Sequence, residues 1–278
     1  MLGWKPFSVV ILLLSLSGCG AKFVYNNLDW LVLEYVDDYV TLTNDQESIL
    51  EYRLQALAKW HRQTELPSYV EQIETLRNMP KSDLTADFIL AQRKSIKQQI
   101  KAIIAQAAPD VYSLAIQATS EQEQEFLENF NEEQSKYLDK YLGLNDQETR
   151  ELYAEKIGVG LDKWFGSITP KQQKIVNNWA NEMEITTPEW RSYQTRILQT
   201  LERLFEKKSD TGYFQKTLMA LLLEPESFYS EKLSQQIEKN MLISSEKIVL
   251  LLDVATDKQW AHYQGELKDL ETLARDLM

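Results

Sequence analysis

A short helix start, in which an apolar residue precedes Thr-x-x-Gln, recurs four times along this chain. The copies begin at Thr43, Thr119, Thr169 and Thr256. In a capping box, the Thr hydroxyl accepts a hydrogen bond from the backbone N–H three residues later, and the Gln side chain reaches back to the Thr N–H. Such a cap stabilises a helix by on the order of 1 kcal/mol. Four separate helix starts predict an all-α fold, and their unequal spacing excludes a regular solenoid repeat.

The rest of the sequence also favours helices. Glycine is scarce after Gly20, and no stretch alternates apolar and polar residues over the length of a strand. Apolar residues recur in steps of three and four, for example between Trp190 and Phe205 and between Trp260 and Leu277. We predict about ten helices in one irregular bundle, a single domain over residues 19–278 with a softer seam near 142–166.

Prolines and tryptophans give two further expectations. A proline cannot donate a backbone hydrogen bond inside a helix, so prolines are expected at helix boundaries. The boundary candidates are Pro67, Pro80, Pro109 and Pro225. Large aromatic side chains are most economically buried, and the sequence predicts core positions for Trp30, Trp164 and Trp179.

Residues 1–18 resemble a bacterial lipoprotein signal peptide. Phe7–Leu16 is an apolar stretch of the length found in signal peptides, and a membrane-spanning helix needs roughly 20 apolar residues. Leu16, Ser17 and Gly18 then stand directly before Cys19, which is the arrangement of a lipobox. The resemblance implies cleavage before Cys19 and acylation of that residue. The alternative is a free thiol in a removed or uncleaved segment.

The resemblance also implies a location. The residue after Cys19 is Gly20 and not the Asp that tends to retain lipoproteins in the inner membrane. We therefore expect a protein anchored in the outer membrane by its acyl chains, with its body facing the periplasm. Cys19 is the only cysteine, so no disulfide is expected.

Charge and residue spacing argue against several classes of function. The net charge of −12 makes nucleic acid an unsuitable partner, because phosphate binding needs basic patches. The same charge leaves the acyl chains on Cys19 as the expected membrane attachment. The two histidines, His61 and His262, lack metal-ligand spacing, and neither a phosphate-binding loop nor a Gly-x-Ser-x-Gly elbow is present. We predict no metal, no cofactor and no enzymatic activity.

The densest polar cluster is Trp60, His61 and Arg62, followed by Glu65 and Pro67. Three interpretations are open. The cluster could be a structural corner at the end of a helix, a surface that binds a partner, or a catalytic site. In the last case His61 would act as a base that Glu65 orients.

Two resemblances bear on function. Leu42-Thr43 with Gln46 is similar to the Leu-Thr-x-x-Gln motif of the Spy and CpxP periplasmic chaperones, which are small helical proteins. The segments Tyr25–Trp30 and Trp60–Tyr69 resemble an uncharacterised family of gammaproteobacterial all-helical lipoproteins. That family implies a lipid anchor and a helical body, and no activity.

These observations predict a non-enzymatic lipoprotein that binds or scaffolds another envelope component. Its partners would be the lipid bilayer, through acylated Cys19, and an envelope protein. The alternative is a Spy-like holdase or a modulator of stress signalling. A third hypothesis is an envelope hydrolase that uses His61 and Glu65.

Overall fold

A computed structural model describes residues 22, 23, 25–141 and 143–278 of the chain. Within those residues the chain forms ten α-helices and no strand, so the all-α prediction is confirmed. Two 3-10 turns, Lys81–Asp83 and Pro225–Phe228, separate helices. The helices are α1 (Leu28–Asp37), α2 (Asn44–Asn78), α3 (Ala86–Gln117), α4 (Ser120–Asp139), α5 (Asp146–Phe165), α6 (Pro170–Glu182), α7 (Thr187–Glu206), α8 (Thr211–Leu223), α9 (Glu231–Asp253) and α10 (Asp257–Leu277).

All four predicted capping boxes are confirmed. In the first, the Thr43 N–H donates to Gln46 Oε1 at 2.9 Å, and the Gln46 N–H donates to Thr43 Oγ1 at 3.3 Å. The boxes that begin at Thr119, Thr169 and Thr256 have the same two hydrogen bonds. A fifth box, which starts α5, uses Asn145 and a glutamate in place of Thr and Gln.

Two of the four proline boundaries are wrong. Pro80 and Pro225 do stand at the starts of the 3-10 turns, but Pro67 lies inside α2 and Pro109 inside α3. An interior proline costs a helix about 3 kcal/mol. Around Pro67, Leu66 and Val70 are both buried, and burying such a side chain contributes about 1.5–3 kcal/mol. Tertiary burial therefore offsets the local penalty, and α2 continues to Asn78.

The chain divides into two compact units. Unit 1 comprises the residues up to Glu65 together with Gln98–Lys140 and Thr187–Ser230. Unit 2 comprises Leu66–Lys97, Tyr141–Thr186 and Glu231–Met278. The expectation of a single domain with a seam near 142–166 stays a prediction.

The core of unit 1 lies where α4, α7 and α8 pack together. Phe214 is fully buried at its centre, and its ring lies 6.0 Å from that of Tyr112 on α3. Phe126 on α4 meets Phe205 on α7 edge to face at the same separation. The buried members of this core are Leu201, Leu204, Phe214, Leu218 and Leu221.

The core of unit 2 is built from α5, α6 and α9. Trp179 is buried in it and Trp164 packs against it, as the sequence predicts. Gly166 ends α5 with a φ of +75°, a conformation that glycine adopts without steric cost. The buried members of this core are Leu84, Leu161, Phe165, Val176, Trp179, Leu251 and Leu252.

Trp30 is the tryptophan whose predicted core position is wrong. Its side chain is 54% exposed on α1. None of the residues of α1 is buried, although most of them are apolar. No helix in the described residues combines the length and apolar character that crossing a membrane requires.

Candidate functional site

Trp60, His61 and Arg62 occupy successive positions on α2, where all three are half-buried. Two of them hold the segment that precedes α1. The hydroxyl of Tyr25 and Nδ1 of His61 form a hydrogen bond of 2.7 Å, and the two rings lie 5.8 Å apart. Tyr25 is only 7% exposed, so this contact fixes a buried side chain to α2.

Arg62 holds the same segment in a second way. Its guanidinium carbon lies 5.2 Å from the centre of the Tyr25 ring, and Nη2 donates to Asn26 Oδ1 at 3.3 Å. A cation–π contact of this kind contributes about 0.5–1 kcal/mol where solvent has access. We call Tyr25, Asn26, His61 and Arg62 the tyrosine clamp.

Both rings of the tyrosine clamp are uncharged at neutral pH. Burial raises the pKa of the Tyr25 phenol, and the hydrogen bond and charge of Arg62 partly oppose that rise. Burial also lowers the pKa of His61. With its proton on Nε2, the neutral imidazole accepts the phenol hydrogen at Nδ1. Protonation of His61 would turn Nδ1 into a donor and place a second positive charge near Arg62.

The other predicted members of this cluster have different surroundings. Glu65 is buried one turn further along α2, and Pro67 is exposed within the continuing helix. The prediction of a corner at the end of a helix is therefore wrong, because α2 does not end here. Nδ1 of His61 bonds to the Tyr25 phenol, and the hydrolase hypothesis stays a prediction.

Sequence reasoning missed Tyr25 and Asn26 as the partners of His61 and Arg62. They stand 36 residues earlier in the chain. The Tyr25–Trp30 segment stands out in the sequence by its resemblance to other proteins, but nothing in its spacing indicates a pairing with α2. The lipobox residues Leu16, Ser17, Gly18 and Cys19 lie outside the described residues.

A second arrangement joins the capping boxes in pairs. In unit 1, Gln122 Nε2 donates to Gln46 Oε1 at 2.8 Å, and Gln46 Nε2 donates to Gln122 Oε1 at 3.2 Å. Gln122 Nε2 also donates to the carbonyl oxygen of Thr41 at 2.9 Å. Because each glutamine is also the last residue of a capping box, the pair ties the start of α2 to the start of α4.

Unit 2 has the same arrangement. Gln259 Nε2 donates to Gln172 Oε1 at 2.8 Å, and Gln172 Nε2 donates to Gln259 Oε1 at 3.2 Å. Gln259 Nε2 also donates to the carbonyl oxygen of Ser167 at 2.7 Å. This pair ties the start of α6 to the start of α10. We call the two arrangements the glutamine pairs of unit 1 and unit 2.

Each glutamine pair uses most of the hydrogen-bonding capacity of its amides. An amide oxygen has two lone pairs and an amide nitrogen has two hydrogens. Each Oε1 accepts one bond from its own Thr N–H and one from the partner glutamine, for example at Gln172 and Gln259. The pairs therefore satisfy polar groups at four helix starts, and Gln122, Gln172 and Gln259 among them are buried.

The described residues contain no group of three or more His, Cys, Asp or Glu side chains that could hold a metal ion. The candidate site consists of the hydrogen bonds and aromatic contacts that His61 and Arg62, in the middle of α2, make with Tyr25 and Asn26.

These features define an all-α protein with two units, and in each unit a glutamine pair joins the starts of two helices. The chain belongs to a family of unknown function (DUF6279), whose profile matches residues 38–233. That match includes His61 and Arg62 but begins after Tyr25 and Asn26. No curated protein and no solved structure matches the chain.

Proposed function

We propose that this chain is a lipid-anchored, non-enzymatic envelope protein whose helical body binds or scaffolds another envelope component. The observation that carries the proposal is Leu16-Ser17-Gly18-Cys19 at the end of an apolar stretch. Two or more acyl chains give stable anchoring, whereas one chain gives only marginal binding. Gly20 follows the cysteine, which supports a location in the outer membrane with the body in the periplasm.

The tyrosine clamp supports a short tether. Tyr25 follows Cys19 by six residues and is already fixed to α2 through His61. Six extended residues span at most about 20 Å. A body attached in this way works close to the membrane surface and meets components that lie there.

Exposed apolar side chains in unit 2 support a binding role for the body. Val159 on α5 is 68% exposed, and Leu242 and Leu250 lie two turns apart on α9 with about half of each side chain exposed. The two leucines are the positions at which we expect a partner to contact α9.

The anchor is tested by labelling cells with an alkyne-bearing palmitate. We expect the label on the wild-type chain and none on Cys19→Ala. Ser15→Ala changes the apolar stretch but leaves the lipobox intact, so it serves as the control and should be labelled normally. Label retained on Cys19→Ala would contradict the anchor.

Binding is tested by placing a photo-crosslinking amino acid at Leu242 or Leu250 in cells. We expect one discrete crosslinked species from the envelope fraction. Lys268 on α10 is exposed and charged, and a crosslinker there is the control. If neither leucine gives more crosslinking than position 268, α9 is not the binding surface.

A second candidate is a Spy-like holdase. It is favoured by the Thr-x-x-Gln helix starts, which are joined in pairs within each unit. The body without its acyl chains should then slow the aggregation of a denatured client protein at stoichiometric ratio. Aggregation that is unchanged at several-fold excess would exclude this candidate.

A further inference from the structure

The segment before α1 and the first turn of α1 each carry one aromatic side chain that the body leaves exposed. Phe23 is 63% exposed and Trp30 is 54% exposed. Tyr25, which stands between them in the chain, is buried in the tyrosine clamp. One residue of this segment is thus fixed to α2, while two large aromatic side chains are left at the surface.

Two backbone hydrogen bonds join the segment to α1. The Asn27 N–H donates to the Phe23 carbonyl oxygen at 3.1 Å, and the Leu31 N–H donates to the Asn27 carbonyl oxygen at 3.0 Å. Asn27 is the N-cap of α1, with a φ of −118°. These bonds place Phe23 shortly before the start of α1, and Trp30 lies in the first turn of that helix.

The composition of α1 points to a covered position. Seven of its ten residues are apolar, yet none of them is buried. A helix of this composition on a soluble body is expected to bury an apolar face. Six of these seven residues are half-buried and only Trp30 is exposed, so a further apolar surface at Trp30 would complete the burial of the helix.

The short stretch of chain between Cys19 and Phe23 indicates which surface would cover the exposed aromatics. Phe23 follows Cys19 by four residues, so its Cα lies at most about 14 Å from the acylated residue. Aromatic side chains favour the interface between lipid headgroups and acyl chains. From this placement, we propose that Phe23 and Trp30 insert into the interface of the bilayer that holds the acyl chains. The inference rests on the proposed lipid anchor and adds a second, non-covalent attachment to it.

The charge of α1 predicts which kind of lipid allows the insertion. The helix contains Asp29, Glu34 and Asp37 and no Lys or Arg, and Lys22, directly before Phe23, leaves residues 22–37 acidic overall. Insertion then depends on apolar burial and not on attraction to anionic lipids. It should occur on zwitterionic bilayers and should not weaken at high salt, because screening acts on charge interactions.

The test uses the acylated mature protein in vesicles of phosphatidylcholine that include brominated chains, which quench tryptophan on contact. Flotation of the vesicles first shows whether the protein is anchored. We expect anchored wild-type protein to be quenched and Trp30→Phe to lose most of that quenching. Trp190→Phe is the control, because Trp190 packs edge-on against Tyr193 within unit 1 and should leave the quenching unchanged.

The outcomes separate the inference from the anchor. Protein that floats without quenching, or whose quenching survives in Trp30→Phe, keeps its anchor but overturns the insertion. Quenching that requires anionic lipid also overturns it. A blue-shifted emission of Trp30 without bromine quenching would mean that protein and not lipid covers the residue. Failure to float would refute the anchor and the insertion together.

Discussion

The glutamine pairs of unit 1 and unit 2 have the same hydrogen bonds but different surroundings. In both pairs the two amide–amide bonds measure 2.8 and 3.2 Å. Gln172 and Gln259 in unit 2 are both buried, whereas in unit 1 Gln122 is buried and Gln46 is half-exposed. Identical geometry therefore does not imply an identical contribution to stability, because water can replace a broken bond in unit 1 more readily than in unit 2.

The two units also support their pairs differently. Next to the pair of unit 1, the Thr41 N–H and hydroxyl both donate to the carboxylate of half-buried Glu125, at 3.0 and 2.7 Å. In unit 2, Gln172 Nε2 faces the carbonyl oxygen of buried Leu251. Charge at the surface supplements the first pair, and uncharged buried groups surround the second.

The largest expected effect comes from Gln172→Ala. The change leaves the Gln259 amide buried without its partner and removes the hydrogen bond from the Thr169 N–H to the Gln172 side chain, while the Thr169 hydroxyl still caps α6. An unsatisfied buried polar group costs about 1–3 kcal/mol and a lost hydrogen bond about 1 kcal/mol more, so we expect the free energy of unfolding to fall by about 2–4 kcal/mol. Urea denaturation measures it.

Gln173→Ala is the matched control, because Gln173 is the exposed neighbour of Gln172 on the same helix. Surface changes of this kind stay within about 0.5 kcal/mol. Equal effects of the two substitutions on the free energy of unfolding would show that the buried glutamine contributes no more to stability than its exposed neighbour does.

Gln46→Ala, the corresponding change in unit 1, should cost about 1 kcal/mol, because the remaining groups are reached by water. Glu47→Ala, at an exposed neighbouring position, is the control. The same urea denaturation applies. If Gln46→Ala destabilises the protein as much as Gln172→Ala does, burial is not what distinguishes the two units.

Acidification should weaken unit 1 through the tyrosine clamp. Because burial lowers the pKa of His61 in the folded state, the unfolded chain binds more protons once the pH falls below the ordinary histidine value of about 6.5. The clamp's contribution is present above that pH and is lost as the pH falls through the lower folded pKa. The free energy of unfolding, measured from pH 7.5 to 5, should fall less steeply in His61→Gln than in the wild type. Parallel curves would contradict this role for His61.

The smallest effect is expected from Glu125→Gln. Hydrogen bonds from the Thr41 hydroxyl and N–H hold the pKa of Glu125 below its usual value, so the ionised form is favoured in the folded state. Their contribution is present above the ordinary glutamate pKa and is lost as the pH falls through the folded value. The substitution should lower the melting temperature slightly at neutral pH, and this difference from the wild type should shrink as the pH falls below the ordinary glutamate pKa. A difference that does not shrink on acidification would argue against the charged hydrogen bonds.

How much could be predicted from the sequence depends on distance along the chain. The four capping boxes could be predicted from the sequence, because each is complete within four residues. The pairing of those boxes could not be predicted, since Gln46 and Gln122 are 76 residues apart and Gln172 and Gln259 are 87 residues apart. Only packing decides which helix starts meet.

The errors at Pro67 and Trp30 have the same physical origin. Local rules place a proline at a helix end, and burial of Leu66 and Val70 overrides that rule. Composition places a tryptophan in a core, but Trp30 stands at an exposed position of α1. Neighbouring side chains in space, which local sequence does not specify, decide both outcomes. The same holds for the clamp between Tyr25 and His61.

Double-mutant cycles on the two glutamine pairs test the central claim most directly. The cycles use Gln172→Ala with Gln259→Ala, and Gln46→Ala with Gln122→Ala, and each yields the coupling free energy of one pair. If burial determines how much each pair contributes to stability, the coupling free energy should be about 1.5–3 kcal/mol in unit 2 and under about 1 kcal/mol in unit 1. Equal couplings, or a larger one in unit 1, would contradict the account.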